Sequence, residues 1–219
     1  MIVELYGLPG SGKSTLVSSF CDIKLDYKKY GTNTFIGNSK FNKFKYGILC
    51  LKPQNFLTLI LLIFSVAGKK SSFKIKMKDR IISLLYVIYI LDIVQTKNEK
   101  FILDEGLVQA LSAFYIGFNF RENVLYHIKK LINKQNYVFC YCDISYEKSL
   151  NRMHSRNRKS ANIDFMDRTE LLLFMEELSN KNRLIASIFS KDFSHLRIDM
   201  SNPKEAFTDL VFKIEEEML

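Results

Sequence analysis

Residues 2–14 read Ile-Val-Glu-Leu-Tyr-Gly-Leu-Pro-Gly-Ser-Gly-Lys-Ser, a β-favouring run broken by three glycines and closed by a lysine. Gly7, Gly12, Lys13 and Ser14 complete the Walker A spacing, with Thr15 behind them. Little else explains such a pattern. Backbone N–H groups can wrap a phosphate chain only if glycine stands where a Cβ would collide or where φ is positive. The helix that follows turns its positive end toward the same phosphates. Gly7, Gly10, Ser11, Gly12, Lys13, Ser14 and Thr15 are therefore the expected nucleotide-binding residues. Lys13 reaches the β- and γ-phosphates and the Ser14 hydroxyl ligates Mg²⁺. At average residue usage a chain of this length meets the fixed positions by accident roughly 1% of the time. The strand before the loop and the helix-compatible Ser14–Phe20 after it lower that further.

At 219 residues the chain suits one α/β domain with an insertion. The N-terminus enters a strand at once, so no signal peptide is expected. The longest apolar run, Phe56 to Ala67, is too short for an ordinary membrane span. A second run, Ile81 to Val94, is interrupted by Ser83 and Asp92, and both runs read as buried helices. Cys21, Cys50, Cys140 and Cys142 have no metal-ligand spacing; the last two share one strand face as packed thiols. The reading is a cytoplasmic protein. The net charge of +9 is lopsided: residues 1–100 hold 16 Lys+Arg against 6 Asp+Glu, and residues 101–219 hold 16 against 17. The excess gathers at Lys40, Lys43, Lys45, Lys52, Lys69, Lys70, Lys74, Lys76, Lys78 and Arg80. Such a region attracts an anionic substrate, nucleic acid or an acidic membrane surface, or is simply a solvated face.

The pattern predicts strands at 2–6, 101–104, 137–143 and 195–199, with a further short strand near 34–36. Helices are expected over 13–21, most of 40–98, 107–134, 146–156 and 167–190, and from Pro203 onward. Strands alternating with helices make a parallel sheet covered on both faces, with ligands at the carboxyl ends of its strands.

Phe101-Ile-Leu-Asp104-Glu105-Gly106 puts carboxylates at the end of an apolar strand, the Walker B setting. Asp104 would complete the Mg²⁺ shell with Ser14, and Glu105 could take a proton from an acceptor hydroxyl or position a water. Which acid takes which role stays open, and a plain acidic helix start is the alternative. Arg152, Arg156 and Arg158 follow the 137–143 strand; the first two share a helix face. Guanidinium forks suit the charge that spreads over a transferring phosphoryl group, and a mobile segment carrying them would act as a lid.

Gly7-Leu-Pro-Gly-Ser-Gly-Lys-Ser-Thr15, Phe101–Gly106 and the three arginines together resemble the P-loop nucleoside and nucleotide kinases, thymidylate-kinase-like in particular. The resemblance implies a three-layer α/β P-loop kinase fold, a parallel sheet with helices on both faces. It implies a single domain over 1–219, with a core of 1–37 and 101–219, a helical acceptor-binding insert at about 40–98 and a lid at about 152–163. It also implies ATP as co-substrate with Mg²⁺, and base contacts from the Met200–Pro203 loop, through Asn202 and Pro203. Thymidylate kinases carry Asp-Arg-Tyr where this chain has Asp104-Glu105-Gly106, so their phosphate-contacting arginine does not carry over. An acid at 105 is closer to kinases that deprotonate a hydroxyl, such as nucleoside or sugar kinases.

The expected activity is transfer of the γ-phosphoryl group of ATP to a small molecule (a nucleoside, nucleotide, sugar or similar acceptor), which the basic insert allows to be anionic. Lys13, Asp104, Glu105, Arg152, Arg156 and Arg158 would carry the chemistry. Alternatives are a kinase of nucleic-acid ends or nucleotide-sugars, and a regulatory P-loop ATPase acting through a protein partner. A GTPase is disfavoured because Asn133-Lys-Gln-Asn136 lacks the base-reading acid. A homodimer is compatible with the sequence, which does not fix oligomeric state.

Overall fold

The computed structural model describes residues 1–30, 44–45, 48, 53–66, 76–118, 129, 131–132, 137–155 and 166–217. Ile2–Gly7 forms β1, a strand buried along its whole length, as the middle strand of a parallel sheet must be. Helix α1 (Lys13–Ile23) leads to β2 (Tyr27–Tyr30), and the chain reaches β3 (Lys100–Leu103) after α2 (Pro53–Val66) and α3 (Met77–Thr96). Then come α4 (Leu107–Tyr115), β4 (Tyr137–Asp143), α5 (Tyr146–Ser155), α6 (Arg168–Phe189), β5 (Ser194–Asp199) and α7 (Pro203–Glu216). The sheet order is β2-β3-β1-β4-β5, all parallel, with Ile2 registered against Phe101 on one side and Tyr137 on the other. The chain leaves β1 for one side of the sheet and later returns to the other. The carboxyl end of β1 is therefore the switch point where a ligand crevice opens.

Alternation along β1 divides the core. Ile2 and Tyr6 face a cluster built with α2, α3, α4 and the end of α6. Val3 and Leu5 face a second cluster built with α1 and α7, and with Cys140 and Cys142 from β4. Both thiols are buried there, as the strand pattern required.

Several boundaries differ from the sequence reading. The edge strand β2 is Tyr-Lys-Lys-Tyr, with only its end residues buried, so it carries neither alternation nor an apolar run. The strand expected near 34–36 lies outside the described residues, as do Cys50 and most of the 40–74 lysines. Helix α4 ends at Tyr115 rather than running on to 134, because Gly117 takes φ +76° and the Phe118 N–H turns back to the Tyr115 carbonyl. Helix α3 is buried as expected, whereas α2 buries Leu59, Leu62 and Val66 and exposes Phe56 and Phe64. Arg80 is no part of a solvated basic face. It is 4% exposed, and its Nη1 donates to the Phe114 carbonyl at 2.9 Å and the Ile116 carbonyl at 2.5 Å. Among the described residues no helix is long and apolar enough to cross a membrane.

Candidate active site

The loop that leaves β1 has the backbone its glycines permit. Gly7, Gly10 and Gly12 sit at φ +148°, +80° and +101°, where a side chain is strained. A Cβ at Gly7 would stand 2.6 Å from the Cys142 carbonyl, and one at Gly10 2.7 Å from the Ser149 carbonyl. The loop is thus pressed onto β4 and α5, with the Ser149 hydroxyl donating to the Pro9 carbonyl. Gly12 is the N-cap of α1 and brings no side chain to it, nor is there an acid in its first turn. The positive end of that helix, without a side-chain cap, is of the kind that suits an anion. The Lys13 ammonium folds over the loop, donating to the Gly7 carbonyl at 3.0 Å, the Leu8 carbonyl at 2.9 Å and the Ser11 hydroxyl at 3.2 Å. Ser14 and Thr15 are exposed on the first turn of α1.

Asp104 and Glu105 form the turn after β3, on the strand beside β1. Asp104 is partly buried, and its Oδ1 is buried with no hydrogen-bond partner among the described residues, whereas Glu105 is exposed. No cluster of three or more His, Cys, Asp or Glu able to hold a metal occurs among the described residues. A Mg²⁺ site here would be of the open kind, one or two protein oxygens completed by phosphates and water.

Helix α4 continues from the acid turn, and its N-terminus is served by a residue the sequence reading passed over. Glu4 is fully buried on β1. Its Oε1 accepts the Val108 N–H at 2.7 Å and its Oε2 accepts the Tyr137 hydroxyl at 2.6 Å. Burial pushes this carboxyl up to about 7, against the pull of those hydrogen bonds, and pushes the Tyr137 phenol well above its usual range. Gly106 allows the approach: a Cβ there would lie 2.3 Å from Glu4 Cδ. Gln109, in the same helix, accepts the Gly7 N–H at 3.1 Å and ties α4 to the glycine loop. Its signal lies in the sheet order, since an acid inside a strand buried on both faces needs partners.

Arg152 belongs to α5. Its guanidinium donates to the Ser11 carbonyl at 3.1 Å and the Met200 carbonyl at 3.0 Å, bridging the phosphate loop and the turn after β5. Arg156, Arg158 and the rest of the expected lid lie outside the described residues. Asn202 caps α7: its Oδ1 accepts the Lys204 N–H at 3.2 Å and its Nδ2 donates to Glu205 at 2.7 Å. Pro203 starts that helix and lines a cavity of about 610 Å³ beside the loop. Leu16, Met200 and Phe207 give the cavity apolar walls, while Thr15, Ser19 and Thr208 bring hydroxyls and Arg152 closes one edge. Leu16, Ser19, Phe207 and Thr208 carry no sequence motif; only the packing of α1 against α7 gathers them.

No family model and no curated protein sequence matches the chain. Solved structures do match in fold. Deoxyadenosine kinase from M. mycoides, with products dCMP and a flexible dCDP bound, superposes with a TM-score of 0.61 at 15% identity, over 99% of this chain and 100% of that one. The same enzyme with bound dATP gives 0.56 at 16% identity, over 98% and 100%. YorR protein from Bacillus subtilis, in complex with phosphorylated GDP, gives 0.56 at 12% identity, over 100% and 98%. The chain therefore shares the α/β fold of these proteins, a parallel sheet covered by helices, as its sequence predicted.

Proposed function

We propose that this protein transfers the γ-phosphoryl group of ATP to a nucleoside or nucleotide. The observation that carries the reading is the meeting, at the carboxyl end of β1, of an uncapped helix N-terminus, three positive-φ glycines and a carboxylate oxygen without a partner. Loop amides and Lys13 would hold the β- and γ-phosphates, with phosphate oxygens taking the place of the carbonyls that Lys13 now touches. Ser14 and Asp104 are oxygen donors of the kind Mg²⁺ takes. Bound there, the ion would neutralise charge building on the β- and γ-oxygens. The cavity beside Gly12 matches a nucleobase in character, with apolar walls for the ring faces and hydroxyls for its edges.

Glu105 is the exposed acid of the turn and suits the removal of a proton from an acceptor hydroxyl; Asp104 would then serve the metal. Arg152 would hold the two sides of the donor site together. Arg156 and Arg158 would close over the transferring group, as parts of a lid over 152–163. The insert at about 40–98 would form the acceptor side of a single 1–219 domain. A nucleoside or nucleotide acceptor is favoured by the fold shared with deoxyadenosine kinase over the whole chain.

The test is incubation with Mg²⁺ and γ-labelled ATP against a panel of nucleosides and nucleotides. Label should pass to a member of the panel and should fail to pass with Lys13→Ala. A panel left unlabelled by the wild-type protein, or transfer that survives Lys13→Ala, sinks the reading.

A further inference from the structure

The charged side chains that the described residues bury are Glu4 and Arg80, and both end on α4. Arg80 meets carbonyls at one terminus and Glu4 meets N–H groups at the other. Glu4 is the costlier of the two, because among the described residues no cation faces it. In the sheet it stands between Leu103 and Phe139. The ionisable groups beside it are phenols, Tyr137 from β4 and Tyr6 from β1, both raised by burial. Helix α4 faces it with the backbone N–H groups of Leu107, Val108 and Gln109, and the acid turn with Asp104 and Glu105 lies just before them. A neutral or apolar residue would sit in this position at lower cost. A buried charge kept at a cost, beside a candidate catalytic turn, points to a role other than holding the fold.

The connections form a ring. Glu4 accepts from the first turn of α4; Gly106, one residue ahead, packs against its carboxyl; Gln109, in the same helix, accepts from Gly7; and Gly7 returns to β1 three residues beyond Glu4. We propose that Glu4 is a positioning residue: its ionised carboxylate draws the first turn of α4 onto β1 and thereby sets the Asp104–Gly106 turn against the phosphate loop. The carboxylate offers acceptors to the Tyr137 hydroxyl and to the α4 amides together, and its charge suits the positive end of that helix. The acid form has lost the charge and turned one acceptor into a donor. The link to phosphoryl transfer rests on the function proposed above; the positional claim does not.

The experiment is amide hydrogen exchange on the nucleotide-free protein from pH 5.5 to 8.5, corrected for intrinsic exchange chemistry. In the local opening that lifts the first turn of α4 while Glu4 stays buried in the sheet, the carboxylate loses donors that favour its anion. Protection at Val108 and Gly7 against that opening should therefore rise about tenfold through pH 7, the worth of one charge-assisted hydrogen bond, even as global stability falls, and should be nearly flat in Glu4→Gln. Tyr137→Phe removes a bond that favours the anion, so the midpoint of that rise should move to higher pH. Glu4→Gln should also reduce the gain in ATP affinity brought by Mg²⁺ about tenfold while leaving affinity in EDTA within about twofold. Wild-type protection at Val108 that ignores pH or falls as pH rises, or equal affinity losses with and without Mg²⁺, would overturn the proposal. A wild-type protein that binds no ATP would remove the proposed function, and the exchange data would still decide the positional claim.

Discussion

Titrating Glu4 should make the protein less stable as pH rises, opposite to the usual behaviour of a carboxylate. Its carboxyl moves from an ordinary 4.5 to about 7 on folding. Between these values the native state keeps a proton that the unfolded chain has released, so stability falls by about 1.4 kcal/mol per pH unit. The contribution is whole below pH 4.5 and lost above pH 7. A gap of about 2.5 at 1.36 kcal/mol each is about 3 kcal/mol, a large part of the margin of a typical domain. His195 works the other way. Burial holds it below its ordinary 6.5, so its contribution is present above that value and lost as pH falls. Glu4→Gln isolates the carboxyl from this background. Urea unfolding of both proteins from pH 4.5 to 8.5 should show the wild type losing about 3 kcal/mol relative to the variant, most of it between pH 5 and 7.5. A difference that stays constant with pH, or that grows in favour of the wild type, would refute the reasoning. The carboxylate's hydrogen bonds would then outweigh its burial.

Gly106→Ala should destabilise by about 1–3 kcal/mol through overpacking against Glu4, and the loss should shrink by a similar amount in a Glu4→Ala background; additive losses in the double-mutant cycle would contradict the close approach. Lys13→Ala should weaken ATP binding about tenfold to a hundredfold, the worth of a charged hydrogen bond, and calorimetry giving a change under twofold would tell against its phosphate role. Asn202→Ala should cost about 1 kcal/mol in denaturant unfolding by removing the α7 cap, with ATP affinity unchanged; a drop in affinity would show instead that the side chain reaches the nucleotide. Arg152→Ala should weaken ATP and GTP to the same degree, because the guanidinium holds the Ser11 and Met200 backbone and reads no base; a loss confined to one nucleotide would assign it a base contact.

The phosphate loop was legible because its demand is local: positive φ at Gly7, Gly10 and Gly12 is satisfied by glycine in the sequence itself. The acid turn was legible for a similar reason, as an apolar strand closed by carboxylates. The end of α4 could have been read at Gly117, where the helical pattern meets a residue free to take positive φ. Glu4 and Arg80 were not legible in the same way. Glu4 binds Val108 and Tyr137, 104 and 133 residues away, and Arg80 binds carbonyls 34 and 36 residues away. Local pattern reads Glu4 as the polar phase of an alternating strand and Arg80 as one cation in a basic stretch. Only the sheet order, which buries both faces of β1, turns them into partners of α4.

Helix α4 explains why those charges are worth keeping. Nine residues are too few to hold a helix alone, and this one lacks a side-chain N-cap. Its end groups are buried, so each leading N–H and trailing carbonyl needs a partner brought from elsewhere. Glu4 comes from β1, Arg80 from α3, and on the turn that follows Glu177 of α6 accepts the Gly117 N–H at 2.6 Å while Lys181 donates to the Phe118 carbonyl at 2.6 Å. The position of the acid turn is therefore set by three elements at once and not by its own sequence. Because α3 lies within the 40–98 segment, that segment is coupled to the acid turn through Arg80. A displacement of α3 would be felt at Asp104 by way of a helix fixed at both ends, and at Gly7 through Gln109. The glycine loop, the acid turn and α3 are thus joined by polar contacts, which a shift in one part must break or carry along.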